Sequence, residues 1–356
     1  MPPKTRTEGR HGLALDATDR VLCDRLIKNG SRSFFTASLL LPPSVRAAAR
    51  ALYAFCRLSD DLVDAPSPDP TAAVARLRER LQRVYARRPE ANIADRAFAA
   101  VVEAYDLPRA LPLALIEGYA WDASGRDYTT LEDLLDYSAR VAGTVGVMMA
   151  RIMGTGEPEV LARAADLGLA MQLTNIARDV GEDARAGRLY LPTEWLDAND
   201  VCRERLLAEP AFTPQIGEVV AHLLKVADTY YDRALTGIAG LPLSCRPAIR
   251  AAALIYREIG REVARNGFDS ISVRAVTDNH RKIELLAYGS LTPFPLVPVS
   301  TAPTDPSVAF LVEAAASARG PAPPRTADAK FGRLLELMAR SAEHERMGLA
   351  LSREAR

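Results

Sequence analysis

The sequence predicts an all-α fold, and three observations carry that prediction. Alanine, leucine, arginine and glutamate recur at helical spacing over long windows. Alternating β-branched runs, the mark of a half-buried strand, are nearly absent. Helix start and stop residues fall where the periodicity breaks: Asp16 or Thr18 caps a helix that stops at Asn29-Gly30, and Pro42-Pro43-Ser44 opens another running through Leu62. Pro66, Pro68 and Pro70 mark the loop that follows. Further helices are predicted at 71–88, 92–105, 109–126, 130–153, 158–183, 216–238 and 247–266, and no repeat at solenoid spacing interrupts them.

Composition shifts near Leu291. Pro293, Pro295, Pro298, Pro303 and Pro306, then Pro321, Pro323 and Pro324, rule out one continuous helix there. Phe331, Leu334, Leu335 and Met338, at i, i+3, i+4 and i+7, predict a short amphipathic helix beyond. The chain therefore divides into a flexible N-terminus (1–15), a helical domain (16–290), and a proline-rich linker with a short C-terminal helix (291–356).

Forty-five basic and 45 acidic side chains cancel in 356 residues, which argues against nucleic acid as a partner. Four scattered cysteines and four scattered histidines make neither a zinc site nor a disulfide framework. No apolar run of about 18 residues occurs, and the first sixteen residues are polar, so a cytoplasmic protein is expected.

Charge is concentrated locally on two apolar helices. Tyr53, Arg57, Asp60 and Asp64 follow at steps of four, three and four and share one face. Two carboxylates at i, i+4 repel, so the pair calls for a cation, and Mg²⁺ suits it as a hard ion that bridges one or two carboxylates to phosphate. Gln172, Asn175, Asp179 and Asp183 line a second face, on a segment apolar nearly all round. Buried amides and carboxylates there are costly unless they coordinate something. Either stripe alone would read as a solvated acidic face; two of them, each beside an arginine (Arg57, Arg178), suit a diphosphate held by magnesium. Ser31-Arg32-Ser33-Phe34 adds hydroxyl and guanidinium donors at a helix start, where a serine also serves as a plain cap.

On these residues the chain resembles the squalene/phytoene synthase family, and within it the bacterial phytoene-forming members. The matching pieces are Ser31 to Phe34, Tyr53-Ala-Phe-Cys-Arg57 with Asp60-Asp-Leu-Val-Asp64, Val141-Ala-Gly-Thr-Val-Gly146, Gln172 through Asp183, Gly187-Arg-Leu-Tyr-Leu-Pro192, and Tyr256 with Asn266-Gly267, spread over about residues 20–290. The resemblance implies an isoprenoid-synthase (class I terpenoid synthase) helical bundle around a central cavity. It implies head-to-head joining of two geranylgeranyl diphosphates through a cyclopropylcarbinyl diphosphate to phytoene, in carotenoid biosynthesis, with Mg²⁺ (Mn²⁺ as the substitute ion) and without NADPH. Carried over by residue, Asp60, Asp64, Asn175, Asp179 and Asp183 bind metal. Ser31, Ser33, Arg57 and Arg178 contact diphosphate, Tyr53 and Tyr256 line its end of the cavity, and Arg188 and Tyr190 rank behind them, Tyr190 with packing as an equal role. Gln172 shares the second stripe and belongs with the substrate contacts. Phe34, Phe35, Ala142, Gly143, Gly146 and Leu173 are read as the walls a carbocation needs, aromatic or small and free of nucleophiles.

The sequence departs from the family pattern twice. Tyr137 lacks a second tyrosine two residues on, and Arg274 stands alone where relatives carry an arginine pair. Neither missing residue's role transfers. The competing readings are a C30 synthase using farnesyl diphosphate, a non-catalytic relative acting in assembly, and a cyclase or chain-elongating prenyltransferase, whose DDxxD is mimicked by Asp60-Asp61 and Asp64. Lipid-soluble substrates imply reversible contact with the inner membrane face. The oligomeric state is left open.

Overall fold

The computed structural model describes residues 13, 15–65, 69–291 and 298–318, and among them forms α-helices without a strand. In chain order these are α1 (Ala17–Gly30), α2 (Arg32–Ser38), α3 (Pro43–Asp64), α4 (Pro70–Tyr85), α5 (Ile93–Tyr105), α6 (Ala110–Ala123), α7 (Leu131–Ser138), α8 (Thr144–Met153), α9 (Pro158–Arg185), α10 (Thr193–Ala198), α11 (Arg203–Ala208), α12 (Pro214–Gly237), α13 (Arg246–Arg265), α14 (Asn279–Leu291) and α15 (Pro306–Ala316). The predicted 130–153 helix is interrupted by a π-helical turn, Ala139–Gly143, between α7 and α8. One wide turn re-aims the helix, and Thr144 Oγ1 donates to the Leu111 carbonyl at 3.0 Å just after it.

The centre is α9, 28 residues long and about 42 Å at 1.5 Å per residue. It is buried nearly all round, and α8, α12, α13 and α15 pack along it. Two glycines allow α8 so close. A Cβ on Gly168 would stand 2.4 Å from the Ala142 carbonyl oxygen, and one on Gly146 2.2 Å from that of Ala164. On the other side α3 turns Ala48, Leu52, Phe55 and Ser59 inward at helical spacing, with Phe55 stacked on Phe98 of α5 at 4.0 Å.

The termini of the domain differ from expectation. Leu13 and Leu15, read as part of a flexible arm, pack into the core. The 291–356 stretch, read as a linker, contains α15, capped by Asp305 with Pro306 at its first position. Its Val308 and Leu311 pack toward the backbone of Gly143. The helix expected around 331–338 lies outside the described residues. Short α10 and α11 lie in unassigned sequence, as does α14, whose apolar stripe is thin; α14 is held to α13 by close approach of Gly289 to Ala251.

Glu258 of α13 reinforces that contact. It is fully buried and accepts from Arg265 at 2.8 Å, Arg281 at 3.2 Å and Arg261 at 3.0 Å. Burial alone would push its carboxyl up; the three guanidiniums overcome it and hold it at about 2. Its contribution to stability is complete above the unfolded value of about 4.3 and is lost as pH falls through the folded value. Glu258→Gln is expected to cost about 1–3 kcal/mol at pH 7. Denaturant melts should show the gap to the unsubstituted protein narrowing between pH 5 and pH 2.

Candidate active site

A cavity of about 320 Å³ runs between α9 and the helices around it. On α9 its wall is Val160, Arg163, Ala164, Leu167, Gly168, Met171, Gln172 and Asn175, one continuous stripe at i, i+3, i+4 and i+7. From Val160 to Asn175 that stripe extends about 22 Å. Opposite lie Ala142, Val145, Gly146, Met149 and Met153 of the π turn and α8, with Leu52, Tyr53 and Cys56 of α3. The walls are apolar except for Gln172, Asn175 and Tyr53 at one end, Arg163 at the other, and Ser38, whose hydroxyl accepts from Arg50.

The Asn175 end opens onto the two acidic stripes. Asp122 of α6 stands between them, within electrostatic reach of Asp60 and Asp64 of α3 and of Asp183 of α9. Arg188, just after α9, donates to Asp64 at 2.7 Å and so ties the α3 stripe to the α9 side. Asp179 is clasped by Arg178 at 2.7 and 2.5 Å and by Arg274 at 2.9 and 3.2 Å. Burial would raise its carboxyl, but these guanidiniums leave it below the usual range. Arg274, not carried over from the sequence, thus reaches the site. Arg57 pairs with Asp61 at 2.7 Å and stands 4.0 Å from Asp60.

Two carboxylates lack such compensation. Burial and then the neighbouring Asp64 push Asp60 up to about 6. Burial and then Asp179 push Asp183 up to about 7. Both are the environment of a missing counter-charge, which a divalent cation would supply. Among the described residues no three His, Cys, Asp or Glu side chains converge as a preformed cage.

The aromatic end assembles from three helices, α2, α3 and α13. Phe34 of α2 stacks on Tyr256 of α13 at 4.8 Å and meets Tyr53 edge-on at 6.5 Å. Ser31 is both the cap of α2, accepting from Phe34 N at 3.2 Å, and a hydrogen-bond partner of Tyr256. Ser33 sits partly buried on the same short helix.

The squalene/phytoene synthase family model matches residues 27–281. The chain belongs to that family. It is 51% identical over 317 residues to the phytoene synthase of Cereibacter sphaeroides, covering 85% of this chain and 89% of that protein. It is 52% identical over 306 residues to the phytoene synthase of Rhodobacter capsulatus, covering 84% and 90%. Among solved structures, a dehydrosqualene synthase in complex with ligand matches with a TM-score of 0.70 at 31% identity, over 76% of this chain and 95% of that one. Squalene synthase HpnC from Alicyclobacillus acidocaldarius matches at 0.64 and 27%, over 70% and 95%.

In this squalene/phytoene synthase three expected wall residues stand elsewhere. Gly143 faces Val308 and Leu311 of α15, because the tail helix occupies the side of the π turn away from the cavity. Leu173 is fully buried among core side chains, about 100° round α9 from Gln172. Phe35 lies under the Arg50 guanidinium at 4.9 Å. Phe34, Ala142 and Gly146 do line the cavity, and so do Tyr53, Gln172 and Asn175.

Sequence reasoning missed Asp122. At the end of α6 it accepts from Tyr137 at 2.9 Å and Tyr190 at 2.8 Å, whose rings stack at 5.1 Å. Burial pushes its carboxyl up to about 6 although both tyrosines and Arg188 pull it down. Tyr190 therefore packs and bonds at the rim, fixing the loop that carries Arg188. The available signal was an acid closing a mostly apolar run from Leu111 to Trp121 that also holds Glu117. Asp122→Ala leaves two buried hydroxyls without their acceptor and is expected to cost about 1–3 kcal/mol by urea unfolding, with Asp122→Asn costing less because its amide oxygen still accepts.

Proposed function

We propose that this chain is a phytoene synthase: a prenyltransferase that joins two geranylgeranyl diphosphates head to head, through a cyclopropylcarbinyl diphosphate, to phytoene. The observation that carries the reading is one continuous space, about 22 Å long beside α9 and mostly apolar, whose Asn175 end lies one helical turn from Asp179 and whose Cys56 lies one turn from Asp60. A stretched C20 chain of roughly 20 Å, matching about 13 residues of helix, fills that length; a C15 chain leaves its far end empty.

Arg57 and Arg178 supply planar donors to diphosphate oxygens at the mouth, with Arg188 and Arg274 within reach of the same carboxylates. Magnesium held by Asp60, Asp64, Asn175, Asp179 and Asp183 would neutralise the leaving diphosphate as a Lewis acid. The faces of Phe34, Tyr53 and Tyr256 stabilise the allylic cation left behind. The apolar wall excludes water that would trap it. Cys56 lines the same wall, yet burial and then Asp60 push its thiol up to about 12, so it stays protonated and a poor nucleophile. The released diphosphate, beside the final cation, takes the last proton, so the chemistry balances without a hydride donor.

No described helix is long and apolar enough to cross a membrane. Substrate and product are lipids, so the protein works in the cytoplasm in reversible contact with a membrane surface.

Purified protein given geranylgeranyl diphosphate and Mg²⁺, without NADPH, is expected to release phytoene. In competition with farnesyl diphosphate, product mass should favour the C40 hydrocarbon; a dominant C30 product would replace this reading with that of a C30 synthase. Asp60→Asn and Asp179→Asn should each lower turnover by roughly a hundredfold or more while the helical circular dichroism is retained. Near-normal rates in both would remove the metal assignment.

A further inference from the structure

Of the side chains lining the cavity, Arg163 alone is charged, and it stands at the end away from the carboxylates. Only 1% of it is exposed. Its Nε lies 2.9 Å from Asp166, which is fully buried and also receives Arg233 at 3.1 Å. Arg233 in turn donates to the Pro303 carbonyl at 3.0 Å. Against the base of the Arg163 side chain lies Gly237 of α12, where a Cβ would come within 2.2 Å of the Arg163 Cβ. Among the described residues neither Nε nor Nη1 of Arg163 makes a hydrogen bond, so its hold on Asp166 is the ion-pair contact.

A guanidinium in a hydrocarbon-lined space is costly, and a well-packed apolar pair would serve the α9 to α12 contact as well. Its cost acquires a purpose from its position. Arg163 precedes Asn175 by twelve residues on the same face, about 18 Å along the helix and one turn short of Val160, within the last turn that a stretched C20 chain of roughly 20 Å reaches. Methionine walls such as Met149 and Met153 repack around an extra methyl group. A buried arginine clamped by Asp166 and crowded by α12 does not, since moving it breaks the ion pair.

We infer that Arg163, held by Asp166, is the fixed floor of the cavity and the residue that limits the prenyl chain to twenty carbons. The inference rests on the prenyl-diphosphate reading above. A chain one isoprene unit longer would press its terminal methyls against the guanidinium.

Two measurements test it. With the unsubstituted protein, the affinity of unreactive linear alkyl diphosphates should rise with each methylene to about 16 carbons and then stop rising. A climb continuing through 22 carbons overturns the floor. In the second, C20 and C25 prenyl diphosphates compete for the unsubstituted protein, for Arg163→Ala, and for Arg163→Ala/Asp166→Ala, which leaves no unpaired buried carboxylate. The C25 to C20 ratio of kcat/KM should rise at least tenfold in a folded variant, and an unchanged ratio overturns the inference. If neither variant folds, the alkyl series decides. Absence of any C20 turnover in the unsubstituted protein would strike the proposed function instead, and the alkyl series would still read the floor.

Discussion

A long helix buried on almost every side must dispose of its own polar residues, and that requirement organises this molecule. Along α9 the cavity face carries polar groups at its two ends, Gln172 and Asn175 at one and Arg163 at the other, with Asp179 and Asp183 at the mouth, while buried Asp166 and Thr174 pair with Arg233 and Tyr231 of α12. Between the two ends the face is alanine, glycine, leucine and methionine. Dense packing everywhere else, down to the glycine contacts with α8, leaves this face as the one place where a long apolar guest fits. The cavity is therefore a consequence of how α9 is buried, and its polarity gradient follows the order of residues in the helix.

The mouth is a balance of charges that does not fully close. Asp64 and Asp179 are matched by Arg188, Arg178 and Arg274, whereas Asp60 and Asp183 are driven upward by burial and then by Asp64 and Asp179 on their own helices. An equal count of acids and bases over the chain hides this local excess. Arginine rather than lysine suits the role, since a planar fork can release a carboxylate and take phosphate oxygens with the same donors.

How much of this was legible follows from where the information sits. The long helices and both acidic stripes were readable because period and capping are local, and Asp60, Asp64, Asn175 and Asp179 fall on the faces their spacing predicts. Gly143 and Leu173 were misassigned because period alone does not say which neighbour a face meets; for Gly143 the neighbour is a helix more than 160 residues later in the chain. Asp122 closes a helix that also holds Glu117, and acquires meaning only when Tyr137 and Tyr190 converge on it. Helix α14 has too thin an apolar stripe to announce itself and depends on Glu258 and Ala251 of its partner.

The proline-rich stretch after Leu291 shows how a composition signal can mislead. Proline density does exclude one continuous helix, but Asp305-Pro306-Ser307 is also a start signal, with the Asp305 carboxylate accepting from Ser307 N at 3.0 Å and from Tyr230 at 2.6 Å. Upstream of it, the same prolines contribute carbonyls without competing N–H donors, and Pro303 uses its own to hold Arg233. A flexible linker could not do this, because a mobile acceptor would leave Arg233 free to withdraw from Asp166. The segment that reads as spacer is thus an outer layer of the cavity's closed end, and the rigidity that proline imposes on the chain passes through Arg233 and Asp166 to Arg163.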